Sequence, residues 1–105
     1  MAVWQPTDHE LALLRHVIKT NGVRHQEIKA AEEYSEASAA ISRFSNRYCP
    51  LDDLAAELAD TQIMLVQLCE MYPELAEAIS RQRVIKLATT AMRFNFTEKI
   101  TGEST

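Results

Sequence analysis

Residues 32–36 read EEYSE, and residues 57–60 read ELAD. The stretch from Glu27 to Leu68 that contains both motifs, interrupted by a proline, decides the fold. If both pieces are helical, each presents two carboxylates three residues apart, and such neighbours share a helix face about 5–6 Å apart. The sequence therefore predicts that four acidic side chains converge where two helices meet.

These acids fall on the apolar sides of their helices. At about 100° per residue, Glu33 and Glu36 lie beside a row of alanines, and Glu57 and Asp60 flank a stripe of leucines. Packing the two apolar sides together would crowd like charges into a partly dry place. An unpaired carboxylate there costs several kcal/mol or takes up a proton. A bound cation removes that conflict.

The chemistry of the acids indicates which cation. All candidate ligands are carboxylate oxygens, which suit Mg²⁺ or Mn²⁺ rather than zinc or copper. A di-iron bundle would need Glu-x-x-His pairs, and the sequence has none. The residues therefore predict a site for a hard divalent ion such as Mg²⁺ or Mn²⁺, formed by Glu33, Glu36, Glu57 and Asp60.

At these residues the chain resembles the MazG-like all-α nucleoside triphosphate pyrophosphohydrolases, whose signature is E-E-x-x-E, a spacer and E-x-x-D. The likeness is to the small single-domain phage and bacterial members and covers roughly residues 20 to 95. Three flanking segments share it, namely NGVRHQ at 21–26, IMLVQL at 63–68 and RVIK at 83–86. It implies an all-α, four-helix bundle-like unit with the motif helices antiparallel, assembled as a dimer or tetramer.

The resemblance also implies a reaction, the Mg²⁺-dependent hydrolysis of (d)NTPs or modified NTPs to the monophosphate and pyrophosphate, with Mn²⁺ as a possible substitute for Mg²⁺. Glu36 and Glu32 are candidates for the base that takes the proton of the attacking water, and the sequence does not decide between them. Two alternatives stay open. One is a non-enzymatic helical interaction module with a structural metal or none, and the other is a hydrolase of another pyrophosphate-linked nucleotide, such as phosphoribosyl-ATP.

Three basic residues are candidates for the phosphates. Lys29 stands one turn before Glu33, so it either contacts a phosphate or only pairs with that acid. The resemblance assigns basic residues of the last helix to phosphates, which makes Lys86 and Arg93 candidates. The alternative is that both simply complement the dipole at the end of that helix.

The sugar and base have further candidates. The resemblance indicates Gln26 as a substrate contact, and Trp4 and Phe44 are the aromatic candidates. Trp4 either stacks on a base or covers the core as a hydrophobic lid. His25 either approaches a phosphate or is an exposed residue at a helix start.

Composition limits the class of protein. The 105 residues are 47% apolar and 25% charged, with only two glycines and three prolines, which favours a single all-helical domain over residues 1–105. A net charge of −4 without a Lys/Arg cluster argues against a nucleic-acid partner. We find no signal peptide and no apolar run of about 20 residues. Together with two isolated cysteines, read as reduced thiols, this predicts a cytoplasmic protein without a membrane partner.

Four helices are predicted, over about residues 8–21, 23–46, 52–71 and 73–94, followed by a polar tail from about 97. Thr7 and Glu10 form a capping box, and Asp52 is expected to cap the third helix. Pro73 is expected in the first turn of the fourth. The clearest predicted core stripe lies on the third helix and consists of Leu54, Leu58, Thr61, Leu65, Leu68 and Tyr72.

Overall fold

The computed structural model describes residues 4–98, which form four helices: α1 (Asp8–Asn21), α2 (Val23–Ser45), α3 (Leu51–Met71) and α4 (Leu75–Arg93). No strand occurs among these residues, so the all-α prediction is confirmed. None of the helices in this range is long and apolar enough to cross a bilayer. The chain divides into two compact units, of which the first ends at Tyr72 and the second begins at Pro73.

The first helix starts and ends where the sequence predicts. Glu10 N–H donates to the Thr7 hydroxyl at 3.1 Å, and Thr7 N–H donates to the Glu10 carboxylate at 2.8 Å, which completes the capping box. At the other end Gly22 adopts a φ of 92°. Because side chains rarely tolerate this conformation, glycine allows the sharp turn into α2.

Helices α2 and α3 pack against each other along their length. Gln26 contacts Gln67, and further along α2 the Tyr34 hydroxyl reaches the carbonyl of Thr61, so the two helices run antiparallel as predicted. The buried side of α2 carries small residues, which let the helix axes approach closely. These residues are Ala30, Ala37 and Ala40.

The buried side of α3 differs from the predicted leucine stripe. Leu58, Leu65 and Tyr72 are about two-fifths exposed, whereas Met64 and Gln67 are buried. The buried surface of α3 therefore lies on a different side of the helix from the predicted leucine stripe. The Gln67 amide meets Gln26 on α2 and the Leu14 carbonyl on α1, so packing against these two helices determines which side of α3 is covered.

Two helix starts also differ from prediction. Pro50, not Asp52, is the N-cap residue of α3, and no side chain caps this helix. Asp52 instead lies in the first turn, where its charge still complements the helix dipole. Pro73 precedes α4, whose N-cap residue is Glu74. The residue before a proline avoids helical torsions, and Tyr72 is accordingly extended, so a turn must follow before a new helix can begin.

In the second unit, α4 is the only helix among the described residues. It ends at Arg93, and a turn with Asn95 at a φ of 54° follows. Several of its apolar side chains are exposed, including Val84 at 64% and Ile85 at 57%.

Candidate metal centre

Three glutamates from the two motifs meet where α2 and α3 pack. One carboxylate oxygen each of Glu33, Glu36 and Glu57 lies within 4.8 Å of the other two. Glu33 is buried, Glu57 is half-buried and Glu36 is exposed, so the cluster runs from the helix interface out to solvent. The three-residue spacing in α2 and the antiparallel packing of α3 together bring these groups to one place.

Asp60, the fourth predicted ligand, lies beside this cluster. It lines a cavity of about 190 Å³ with Lys29, Glu33, Ile63 and Met64. Burial raises the pKa of Asp60, and the neighbouring Glu33 raises that pKa further, because a protonated Asp60 can donate a hydrogen bond to the Glu33 carboxylate.

Glu57 carries the clearest mark of an incomplete site. Its Oε2 atom is buried and has no hydrogen-bond partner. Burial raises the pKa of the Glu57 carboxyl, the charges of Glu36, Asp60 and Glu33 raise it further, and the positive charge of Arg43 partly opposes them. A buried oxygen without a donor is costly. A cation would give this oxygen a partner, and an all-oxygen donor set fits a hard divalent ion.

Lys29 is the cation nearest to the buried acid. Its ammonium group lies 3.2 Å from the Glu33 carboxylate, one turn further along α2. The hydrogen bond to Glu33 raises the pKa of Lys29, and the charges of Glu33, Glu32 and Glu36 add to this effect. Lys29 therefore stays charged at the edge of the cluster. Its predicted contact with a phosphate stays a prediction.

Gln26 is buried and held within the protein. Its side-chain nitrogen donates to Gln67 at 2.7 Å, and its oxygen lies 3.0 Å from both Asn21 Nδ2 and His25 Nδ1. Both ends of the amide thus have protein partners. A contact between Gln26 and a substrate remains a prediction.

The other predicted residues lie at the edges of this region or in the second unit. Glu32 is exposed and lines a second cavity on α2, and Trp4 is half-buried. Phe44 is half-buried, with the Arg47 guanidinium 5.9 Å from the centre of its ring. Two exposed basic residues belong to α4 in the second unit, and their contact with phosphates stays a prediction. These are Lys86 and Arg93.

Sequence analysis missed Arg43 and Gln67. Arg43 stands seven residues after Glu36, which places it two turns along the same side of α2, and this spacing is the signal that could have identified it. Gln67 stands seven residues after Asp60 on the buried side of α3. The leucine stripe of α3 also fits a helical period, so the sequence alone does not single out Gln67.

Comparison of the chain with protein-family models found no match, and comparisons with curated proteins and with solved structures found none that was significant. The resemblance to MazG-like enzymes stays a prediction from the two acidic motifs and the segments that flank them.

Proposed function

We propose that this chain is a Mg²⁺-dependent nucleoside triphosphate pyrophosphohydrolase, which cleaves (d)NTPs or modified NTPs to the monophosphate and pyrophosphate. The observation that supports it most is the cluster of Glu33, Glu36 and Glu57, in which one buried Glu57 oxygen has no protein partner. The choice of nucleotide comes from the resemblance of the two motifs to MazG-like enzymes.

Glu33, Glu36, Glu57 and Asp60 would hold the metal. These residues would hold Mg²⁺ where it would supply neutralisation of charge on the phosphoryl oxygens and activation of water at neutral pH. The protein contributes a preformed set of oxygens on two packed helices, so little reorganisation is needed at the moment of reaction. Mn²⁺ takes similar oxygen ligands and is expected to replace Mg²⁺.

Two further roles are those of the proton acceptor and of the phosphate contacts. Glu36 is exposed and within reach of the other carboxylates, so it can accept a proton from water, and Glu32 is the second candidate for this base. Lys29 supplies a fixed positive charge at the cavity that Glu33 and Asp60 line. We assign Lys29 to the phosphates. The phosphate contacts of Lys86 and Arg93 stay predictions from the resemblance, as does a dimer or tetramer.

The test is pyrophosphate release from canonical and modified NTPs and dNTPs, with Mg²⁺, with Mn²⁺ and with chelator. Glu33→Gln and Glu57→Gln are the test variants, and Glu98→Gln, an exposed acid outside the helices, is the matched control. We expect metal-dependent release that both test variants lose and the control keeps.

Other outcomes of this test would contradict the proposal in different ways. If phosphoribosyl-ATP alone is cleaved, the reaction class stands and the substrate is wrong. If calorimetry detects Mg²⁺ binding but no nucleotide is cleaved, the acids belong to a non-enzymatic helical module. If no metal binds, the site itself is wrong.

A further inference from the structure

A chain of buried amide hydrogen bonds links the first three helices. Gln67 Nε2 on α3 donates to the carbonyl of Leu14 on α1 at 3.3 Å, and Gln67 Oε1 accepts from Gln26 Nε2 on α2 at 2.7 Å. Gln26 is 3% exposed and Gln67 is 2% exposed. We call the chain of bonds from Leu14 through Gln67 to Gln26 the amide relay.

The backbone carbonyl fixes the direction of the amide relay. The carbonyl of Leu14 can only accept, so the Gln67 group beside it must be the NH₂ and its oxygen must face Gln26. The same logic makes the Gln26 group that meets Gln67 an NH₂, which leaves the Gln26 oxygen as the acceptor at the far end. Asn21 Nδ2 donates to this oxygen at 3.0 Å.

His25 contacts the Gln26 end of the amide relay, and the direction of the hydrogen bonds in the relay determines the tautomer of His25. Its Nδ1 lies 3.0 Å from the Gln26 oxygen. Two acceptors at this distance would repel, so Nδ1 must carry the hydrogen. In a neutral imidazole the other ring nitrogen is then an acceptor. The relay thus holds His25 with Nδ1–H directed inward and the Nε2 lone pair on the opposite side of the ring.

His25 borders a cavity of about 240 Å³, which Ile28, Lys29 and Glu32 also line. Lys29 lines the neighbouring cavity of Glu33 and Asp60 as well, so the two cavities share a wall. His25 Nε2 and the Glu32 carboxylate are the acceptors that this cavity offers a ligand, and the Lys29 ammonium, which pairs with Glu33 and which we assign to the phosphates, is its donor. Ile28 adds an aliphatic surface.

We propose that this second cavity is the base subsite and that His25 Nε2 accepts a hydrogen bond from the amino group of a nucleobase. The proposal rests on the proposed function, because the shared Lys29 wall places this subsite next to the phosphates. With the hydrogen of a singly protonated ring on Nδ1, the Nε2 side of His25 offers a lone pair to a ligand and no N–H to a phosphate. The amide relay therefore favours a base over a phosphate at this residue, and adenine, cytosine and guanine over bases without an amino group.

The tautomer can be tested without any activity. Long-range ¹H–¹⁵N correlation spectra of the labelled full chain distinguish a protonated from an unprotonated ring nitrogen, and the signals that His25→Ala removes identify this residue. We expect an unprotonated Nε2 in the wild type and a shift toward the Nε2–H form in Gln67→Leu, in which the relay is broken. A wild-type His25 with its hydrogen on Nε2 would overturn the proposal.

The ligand can be tested with pairs of non-hydrolysable nucleotides. With Mg²⁺, we would titrate the α,β-methylene triphosphates of adenosine and cytidine against those of purine riboside and pyrimidin-2-one riboside, which lack only the amino group. Loss of one hydrogen bond is expected to weaken binding by roughly two- to tenfold. His25→Ala should remove that difference, and His16→Ala, which changes an exposed histidine on α1, should retain it.

The outcomes separate this proposal from the one on which it rests. Equal binding of both members of each pair would overturn the base subsite and leave the nucleotide function standing. Failure of every analogue to bind the wild type would overturn the nucleotide function and the base subsite with it.

Discussion

Glu57 is unfavourable in two ways: neighbouring acidic groups repel its charge, and one of its carboxylate oxygens lacks a hydrogen bond. Its buried Oε2 has no donor, and burial and neighbouring acids raise the pKa of its carboxyl. Such a carboxylate lowers the stability of the folded protein, and an apolar or amide side chain at this position would remove the repulsion. Its presence therefore indicates a function. Perturbed acids of this kind are frequent at functional sites.

Glu57→Gln should therefore have opposite effects on stability and on metal binding. In chelator at neutral pH we expect a higher midpoint of thermal unfolding than in the wild type, because a like charge has been removed. Added Mg²⁺ should stabilise the wild type and not the variant, and metal affinity should fall by at least about tenfold. Differential scanning fluorimetry and calorimetry measure both effects. If Glu98→Gln gave the same gain in chelator, the gain would reflect net charge alone.

The metal-free protein should also lose stability as the pH rises through the acidic range. Burial raises the pKa of Glu57 and of Asp60 in the folded state, so the folded protein binds more protons than the unfolded chain. The resulting stabilisation is fully present below the unfolded pKa values of about 4 and is lost as the pH passes the raised folded values. Urea unfolding in chelator at a series of pH values checks this. In Glu57→Gln the dependence should be weaker, and an identical dependence would contradict the assignment.

At the level of the helices, the amide relay is a buried set of polar contacts that joins α1, α2 and α3. Gln67→Leu should lower the free energy of unfolding by about 1–3 kcal/mol, because the buried Gln26 nitrogen loses its acceptor. The double variant Gln26→Leu with Gln67→Leu should lose less than the sum of the two single changes. Chemical denaturation of the four proteins measures this coupling. Strict additivity would show that the two amides do not depend on each other.

The alanine row of α2 sets the distance between α2 and α3. Ala40 is fully buried, so Ala40→Leu should overpack the contact and lower the free energy of unfolding by about 1–3 kcal/mol. Ala39 is its neighbour on the exposed side of the same helix, and Ala39→Leu should change stability by less than about 0.5 kcal/mol. Urea denaturation compares the two. Equal losses would mean that Ala40 does not face a close contact.

At the scale of the whole molecule, α4 bears on the predicted self-association. Leu87 is 48% exposed and lines two cavities along α4, of about 510 and 320 Å³. Exposed apolar surface of this kind favours association. We expect a dimer or tetramer by light scattering, weakened by Leu87→Glu and retained by Ala88→Glu, an exposed neighbour on the same helix. A monomeric wild type would contradict the prediction.

The sequence by itself determined where helices form and which acidic side chains share a side of a helix. Local signals, such as the capping box at Thr7 and the glycine at position 22, act over a few residues and fix where α1 begins and ends. The three-residue spacing of acids fixes which carboxylates share a side of a helix. These properties need no knowledge of the neighbouring helix, and so they could be predicted.

Only the tertiary structure decided which side of α3 is buried and which polar groups meet there. The leucine stripe and the Met64–Gln67 side both fit a helical period, and contacts with α2 and α1 selected the second. The amide relay from Leu14 to Gln26 and the unpartnered oxygen of Glu57 likewise depend on contacts between residues far apart in the chain. Periodicity identifies a side of a helix, but the shape of the partner helix determines how closely that side is approached.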